Sequence, residues 1–251
     1  MRAASGVESF RSMKPADIAS LLAPFFGRHS LSGLQLEQVS TYLGLLLKWN
    51  AHINLTSVRQ PEEIVTRHFG ESFFTARHLG LSEGHKLAVS EGHDFSRAEN
   101  HPAESGASAP EVSLIDVGSG AGFPGLAIKL YAPALAVTLI ESNHKKATFL
   151  REVVRALTLT YIDVFSGRAE AFPGTAAIVT LRAVEKHQQA LATAARLVSP
   201  GGRLALLLGA PRATEVPGLL PGFSLDPPIN LPGSSTRVLL VGRRNVGESK
   251  Q

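Results

Sequence analysis

Leu36, Val39, Leu43 and Leu46 recur at helical spacing through residues 34–48, and Ser32 with Gln35 forms a capping box ahead of them. Pro61, followed by two acids, opens a second predicted helix over 61–79, with an apolar face of Ile64, Val65, Phe69, Phe73 and Ala76. From residue 112 the period changes. Apolar runs at 112–117, 136–142, 161–166, 176–183 and 203–209 read as buried strands. Segments at 123–132, 144–157 and 184–198 read as the helices between them. The stretches "FSLDPPINLP" and "TRVLLVGRR" read as a closing antiparallel hairpin. Near-continuous apolar strands alternating with helices imply an α/β fold, a mostly parallel sheet covered on both faces. The expected organisation is a small helical region over 1–80, a flexible insert or linker over 81–111, and an α/β domain over 112–251.

Composition sharpens this in a few places. Residues 81–111 are rich in Ser, Gly, Ala, Glu and Pro and contain an eight-residue echo, Ser82-Glu83-Gly84-His85 and Ser90-Glu91-Gly92-His93. Such a segment buries too little apolar surface to order itself. His85, His93 and His101 follow the same repeat, but no carboxylate or His spacing there sets a metal geometry, so no metal is expected. The net charge is +4, unevenly spread: residues 143–203 hold nine Lys and Arg against four acids, and residues 81–111 hold two against six. That basic bias suits an anionic partner such as RNA. The absence of cysteine excludes disulfides and thiolate metal sites. No apolar run reaches the roughly 18 residues of a membrane span, and the first 20 residues lack the apolar core of a secretory signal. The expectation is a cytoplasmic monomer with no membrane partner.

The chemistry gathers at "LIDVGSGAGFPG", residues 114–125, where a strand runs through four glycines into a helix. Such a turn lets a ligand approach the backbone closely. A phosphate-binding P-loop would need a Gly-Lys-Ser/Thr ending, which is missing. Gly120-Ala121-Gly122-Phe123-Pro124-Gly125 matches the dinucleotide pattern by letter, but it starts four residues after Asp116 instead of at the strand end. A third reading is Asp116, Gly118, Gly120 and Gly122 as Asp-x-Gly-x-Gly-x-Gly. A strand-end carboxylate suits a ligand with a cationic amine, such as S-adenosyl-L-methionine. Glu141 closes the next strand, where an acid can take both ribose hydroxyls. Glu170, in Gly167-Arg168-Ala169-Glu170 after the third strand, can meet an adenine edge. Three acids after three successive strands outline one crevice.

At this point the sequence resembles the RsmG (GidB) methyltransferases. The resemblance rests on "LLKWNAHINLTSV" (46–58), "RHFGES" (67–72), "IDVGSGAGFPG" (115–125), "LIESNHKKATFLREV" (139–153), "GRAE" (167–170) and "LRAVEK" (181–186). It implies a class I S-adenosylmethionine-dependent methyltransferase, with a Rossmann-like seven-stranded sheet and an N-terminal helical cap. It further implies S-adenosyl-L-methionine as cofactor, 16S rRNA or the small ribosomal subunit as partner, and N7 of guanine-527 as the methylated atom. For the cofactor site it implies Gly118, Gly120, Phe123, Glu141, Ala169, Glu170 and Arg182, the last touching cofactor or substrate. No residue is assigned as a catalytic acid or base. Two positions depart from the family pattern: Leu208 stands where Lys is frequent and Glu71 where Asp is usual.

Other polar and aromatic positions read structurally. His68 lies among apolar neighbours and is expected to be a hydrogen-bonded core histidine, Asn50 and Asn54 to turn the chain, and Trp49 to pack between helices. Elimination agrees with N7. Methylation at C5 of a pyrimidine needs a cysteine nucleophile, amine methylation an Asn/Asp-Pro-Pro-aromatic turn after the fourth strand, and ribose methylation a lysine-rich tetrad. None of the three is present. The rival readings are an NAD-dependent oxidoreductase, which would need a Tyr-x-x-x-Lys pair or a second domain, and an RNA-binding module built on a methyltransferase-like shell.

Overall fold

The computed structural model describes residues 13–27, 29–81, 112–182 and 187–246. The 82–111 segment, with its histidine repeat, and the Ala183–Lys186 end of the last resemblance motif lie outside the described residues.

Helix α1 (Pro15–Phe26) opens the described chain and buries Ile18, Leu22, Phe25 and Phe26. The apolar pattern did not single it out; Pro24 interrupts its last turn. Helix α2 (Gly33–Asn50) carries the expected capping box: Gln35 N–H donates to Ser32 Oγ at 3.3 Å, and Ser32 N–H to Gln35 Oε1 at 2.8 Å. The Gln35 amide also donates to the Leu130 carbonyl, 3.0 Å away, tying the cap to the α/β layer. The predicted 61–79 helix forms with a change of pitch. It begins as α3 (Pro61–Ile64), widens into a π-helical stretch (Val65–Gly70), and resumes as α4 (Glu71–His78). Its predicted apolar face is buried throughout. At Gly70 a Cβ would lie 2.6 Å from the Phe25 ring, so only glycine lets α1 close onto this segment.

The sheet contains β1 (Ser113–Val117), β2 (Ala136–Glu141), β3 (Ile162–Ser166), β4 (Ala176–Arg182), β5 (Val198–Gly209), β6 (Phe223–Leu225), β7 (Ile229–Asn230) and β8 (Arg237–Arg244). Its order is β3-β2-β1-β4-β5-β8-β6, with the two-residue β7 also on β8. Strands β1 to β5 pair in parallel, and β8 runs antiparallel to β5, β6 and β7. The expected seven-stranded path is present, with β7 as an addition. The connecting helices are α5 (Gly125–Tyr131), α6 (His144–Ala156), α7 (His187–Arg196), α8 (Ala210–Ala213) and α9 (Val216–Leu219).

Alternating side chains feed two cores, as a sheet covered on both faces requires. Leu114, Leu139, Ile178, Leu207 and Leu239 join α5, α6 and the N-terminal helices in one cluster. Ile115, Ile140, Val179, Leu206 and Leu240 join α7, α8 and α9 in the other. Leu208, the departure from the family's lysine, is 4% exposed in this second core. The strand order reverses between β1 and β4, and the crevice at such a switch point is where open α/β sheets bind ligands. Among the described residues, no helix is long and apolar enough to cross a membrane.

Candidate active site

The glycine turn sits at the carboxyl end of β1, at the switch point. Its four glycines divide into two pairs. A Cβ on Gly118 (φ +68°) would meet nothing within 4 Å, and one on Gly120 (φ +56°) only the Gly118 carbonyl at 3.8 Å. These two face open space in a backbone conformation that favours glycine. The other pair faces protein. A Cβ on Gly122 (φ +91°) would strike the Tyr42 hydroxyl, and one on Gly125 the Asp116 carboxyl. Gly122 lets Tyr42, from α2, donate a short hydrogen bond to the Ala121 carbonyl. Gly125 lets α5 start directly over Asp116.

Glu141, at the end of β2, is 7% exposed and holds the loop from the other side. Its Oε2 accepts from Gly120 N–H at 2.8 Å and its Oε1 from Asn143 N–H at 2.7 Å. Ser119 N–H adds a bond to the Ile140 carbonyl, 3.0 Å away. Each carboxylate oxygen keeps acceptor capacity beyond its one backbone partner.

Asp116 differs from its expected place beside a ligand amine. The structure puts it 1% exposed beneath the turn, with Oδ1 accepting from Thr180 Oγ1 at 2.6 Å and Oδ2 without a hydrogen-bond partner. Burial pushes its carboxyl up to about 6, against the pull of Thr180, Ser119 and the Gly125 backbone.

Above the loop stands an aromatic column. The Phe123 ring is 6% exposed, stacked on Tyr42 with centroids 5.4 Å apart and on His68 at 4.9 Å, with the Phe69 edge also at 4.9 Å. His68 bonds Thr56 Oγ1 through Nε2 at 2.8 Å, while its Nδ1 is buried without a partner. Burial, reinforced by Arg182, Arg67 and Arg237, lowers the imidazole pKa to about 3, so it is neutral at physiological pH. Asn50 holds the turn beneath: its Oδ1 accepts from Leu55 and Thr56 N–H, and its Nδ2 donates to the Thr56 carbonyl. Trp49 packs on Phe149 at 5.7 Å.

Arg182, closing β4, meets the cap in a buried ionic clasp. Its Nη2 donates to Glu71 Oε2 and to the Arg67 carbonyl, both at 2.9 Å. Glu71 is 1% exposed and gives its other oxygen to Arg237, with Nη2 at 2.6 Å. Arg182 Nη1 is buried and unpaired. Desolvation lowers the Arg182 pKa, and Glu71 opposes that shift. The clasp joins residues separated by 111 and 166 positions, so no local pattern could signal it. Tyr42 left a fainter trace, as an aromatic one residue from Leu43 on the buried face of α2.

Ala169 and Glu170 lie on a short 3-10 turn after β3, held by Arg196 Nη2 to the Ala169 carbonyl at 3.0 Å. Glu170 is exposed, and its carboxylate reaches Thr193 Oγ1 at 3.4 Å. Gly120 and Glu141 are thus joined directly at the β1 and β2 ends, with Gly118 two residues back in the same turn. Phe123 and Arg182 stand on the cap side, and Ala169 and Glu170 on the flank. No group of acids and histidines among the described residues could hold a metal ion.

These residues fit S-adenosyl-L-methionine. Gly118 and Gly120 leave an open backbone cradle, and Glu141 retains acceptor capacity beside it.

Strand order, the glycine turn at the switch point and the β2-end carboxylate define a class I methyltransferase fold. The family model described as GidB, rRNA small subunit methyltransferase G, matches residues 35–86 and 104–219. The chain is 33% identical over 233 residues to the ribosomal RNA small subunit methyltransferase G of Xanthomonas axonopodis pv. citri (strain 306), covering 91% of this chain and 96% of that protein. It is 32% identical over 236 residues to the protein of the same name from Stenotrophomonas maltophilia (strain K279a), covering 92% and 94%. Among solved structures it is similar to a SAM dependent methyltransferase from Aquifex aeolicus, at 16% identity and a TM-score of 0.44 over 53% of this chain and 82% of that one. The chain belongs to the GidB family of rRNA small subunit methyltransferases. The oxidoreductase reading falls with that membership.

Proposed function

We propose that the chain transfers the methyl group of S-adenosyl-L-methionine to N7 of a guanine in 16S rRNA, at position 527. The specific atom and position rest on the motif resemblance and on the chemistry. The observation that carries the cofactor reading is the open Gly118–Gly120 backbone tied to the Glu141 carboxylate at the switch point. In this reading Gly118, Gly120 and Glu141 hold the cofactor and Ala169 with Glu170 border its adenosine part. Phe123 sets the height of the loop through its stack with Tyr42 and His68. Arg182 faces the acceptor. The same reading makes residues 1–80 a cap over a catalytic domain at 112–251, with 81–111 inserted between them; the family model passes over 87–103.

When bound, the cofactor supplies an electrophilic methyl on a sulfonium. Guanine N7 carries an in-plane lone pair and no proton. Held by Gly118, Gly120 and Glu141, the cofactor would supply a methyl that N7 could take as the carbon–sulfur bond broke, with the sulfonium charge passing to the purine. No base is required, so the protein acts chiefly by alignment and exclusion of water. The buried clasp and the neutral His68 suit alignment: the clasp places fixed charge at the cap, and the His68 imidazole, lowered to about 3, is a weak proton acceptor. The test is methylation of small-subunit rRNA from cells lacking the modification, followed by borohydride–aniline cleavage, which breaks the strand at 7-methylguanosine. Cleavage at a single site is expected. Methyl incorporation without cleavage refutes the N7 assignment.

A further inference from the structure

Beyond the clasp, a cleft of about 280 Å³ opens between α1, the π-helical stretch and the turn before β8. Leu21, Pro24 and Phe25 form an apolar shelf on one side; Arg67, Arg237 and Thr66 form the other, with Glu71 in the depth. The cleft lies at the sheet pole that carries the crevice, since Arg237 pairs with Gly209 at the end of β5 and Arg182 ends the neighbouring β4.

The charges here do not balance. The single buried carboxylate of Glu71 is fully engaged by Arg182 and Arg237. Arg67 spends Nη1 on Glu63, a pair in which both side chains are more than a third exposed, and leaves Nε buried without a partner. Three guanidinium groups against two carboxylates, Glu71 and Glu63, leave one net positive charge, and the Arg67 and Arg237 side chains remain 37% and 28% exposed beside the apolar shelf. Guanidinium is the cation best matched to phosphate oxygens, and an apolar shelf accepts a ribose or a base face. The volume suits one nucleotide and not a duplex.

We propose that this cleft is an RNA subsite: it takes one phosphodiester-linked nucleotide next to the methylated guanine, its phosphate on Arg67 and Arg237 and its sugar or base on Leu21, Pro24 and Phe25. The proposal rests on the rRNA methyltransferase reading above. It gives the cap a second function, because the residues that bury Glu71 also present the RNA contact.

Two variants test it while leaving the clasp intact. Thr66→Glu adds a negative charge at the cleft wall on a partly exposed helix position whose hydroxyl only bonds carbonyls of its own turn. Arg67→Gln removes one guanidinium. Binding of a single-stranded small-subunit rRNA fragment is measured by fluorescence anisotropy across a salt series, and S-adenosylmethionine binding by calorimetry. Thr66→Glu should weaken RNA at least tenfold. Arg67→Gln should weaken it several-fold and make the log K against log salt slope shallower by about 0.7, the value for one single-strand phosphate contact. Cofactor affinity should stay within twofold in both. RNA affinity and slope unchanged in variants that still bind cofactor overturn the subsite alone. A wild-type protein that binds cofactor but neither binds nor methylates rRNA overturns the underlying reading, and the subsite with it.

Discussion

Replacing Glu141 tests the cofactor crevice at its narrowest point. In Glu141→Ala, Gly120 N–H and Asn143 N–H lose acceptors at 2.8 and 2.7 Å, and the crevice loses a carboxylate that is 7% exposed. Hydrogen bonds to a charged group contribute about 1.5–3 kcal/mol each. The two backbone donors belong to a loop at the surface of the crevice, where water replaces part of that loss. The expected cost to cofactor binding is therefore about 1–3 kcal/mol, or roughly 5- to 150-fold in Kd. Glu141→Gln keeps one acceptor oxygen but turns an amide donor toward the second N–H, so its loss should approach that of alanine. The assay is calorimetric titration with S-adenosylmethionine, alongside circular dichroism and thermal unfolding without cofactor. Both variants should unfold at somewhat lower temperature, since the loop is untied even when empty. Wild-type affinity in a folded Glu141→Ala protein refutes the crevice as drawn.

Three further outcomes follow from the geometry. Glu71→Gln leaves two guanidinium groups facing a neutral amide in a buried site, and should cost about 3 kcal/mol in chemical denaturation, since removing one member of a buried ion pair strands the other charge; a loss below about 1 kcal/mol would show the clasp to be solvated. Asp116 has a native pKa of about 6 against an ordinary 3.8, so the native state binds its proton more tightly. Its contribution to stability is complete below 3.8 and is lost as pH rises through 6, about 3 kcal/mol in all, nearly half of it between pH 5 and 7.5. Asp116→Asn should remove that pH-dependent difference and be no less stable than wild type at pH 7.5; an unchanged stability–pH profile argues against the burial effect. Gly122→Ala combines a φ of +91° with a clash against Tyr42, and should lower thermal stability far more than Gly118→Ala, whose Cβ meets open space. Gly118→Ala carries only the backbone strain of φ +68°, about 1 kcal/mol, and should in addition lower cofactor affinity. Equal thermal losses in the two variants would contradict the division of the turn into ligand-facing and protein-facing glycines.

Local order alone specified much of this protein. Each strand of the parallel sheet is a short apolar run, and its alternation feeds two faces whatever its neighbours are. The glycine turn after β1 and the acid after β2 are adjacent to strands, so their place at the carboxyl end followed once the strands did. The α2 capping box involves residues three apart and could be read directly. Three things needed the tertiary fold. The pitch change at Val65–Gly70 comes with the close seat of Phe25 on Gly70, and α1 itself was hidden by the proline in its last turn. Asp116 reads in sequence as a ligand group, yet packing of α5 and β4 places it beneath the turn, because burial depends on what covers a strand end and not on the strand. The four glycines look equivalent along the chain. Only the Tyr42 hydroxyl, 80 residues upstream of Gly122, and the Asp116 carboxyl under Gly125 show that two of them make room for protein and two for ligand. Likewise, Glu71, Arg182 and Arg237 are isolated charges in sequence, and desolvation makes them one unit, because a buried carboxylate is stable only where distant cations converge on it.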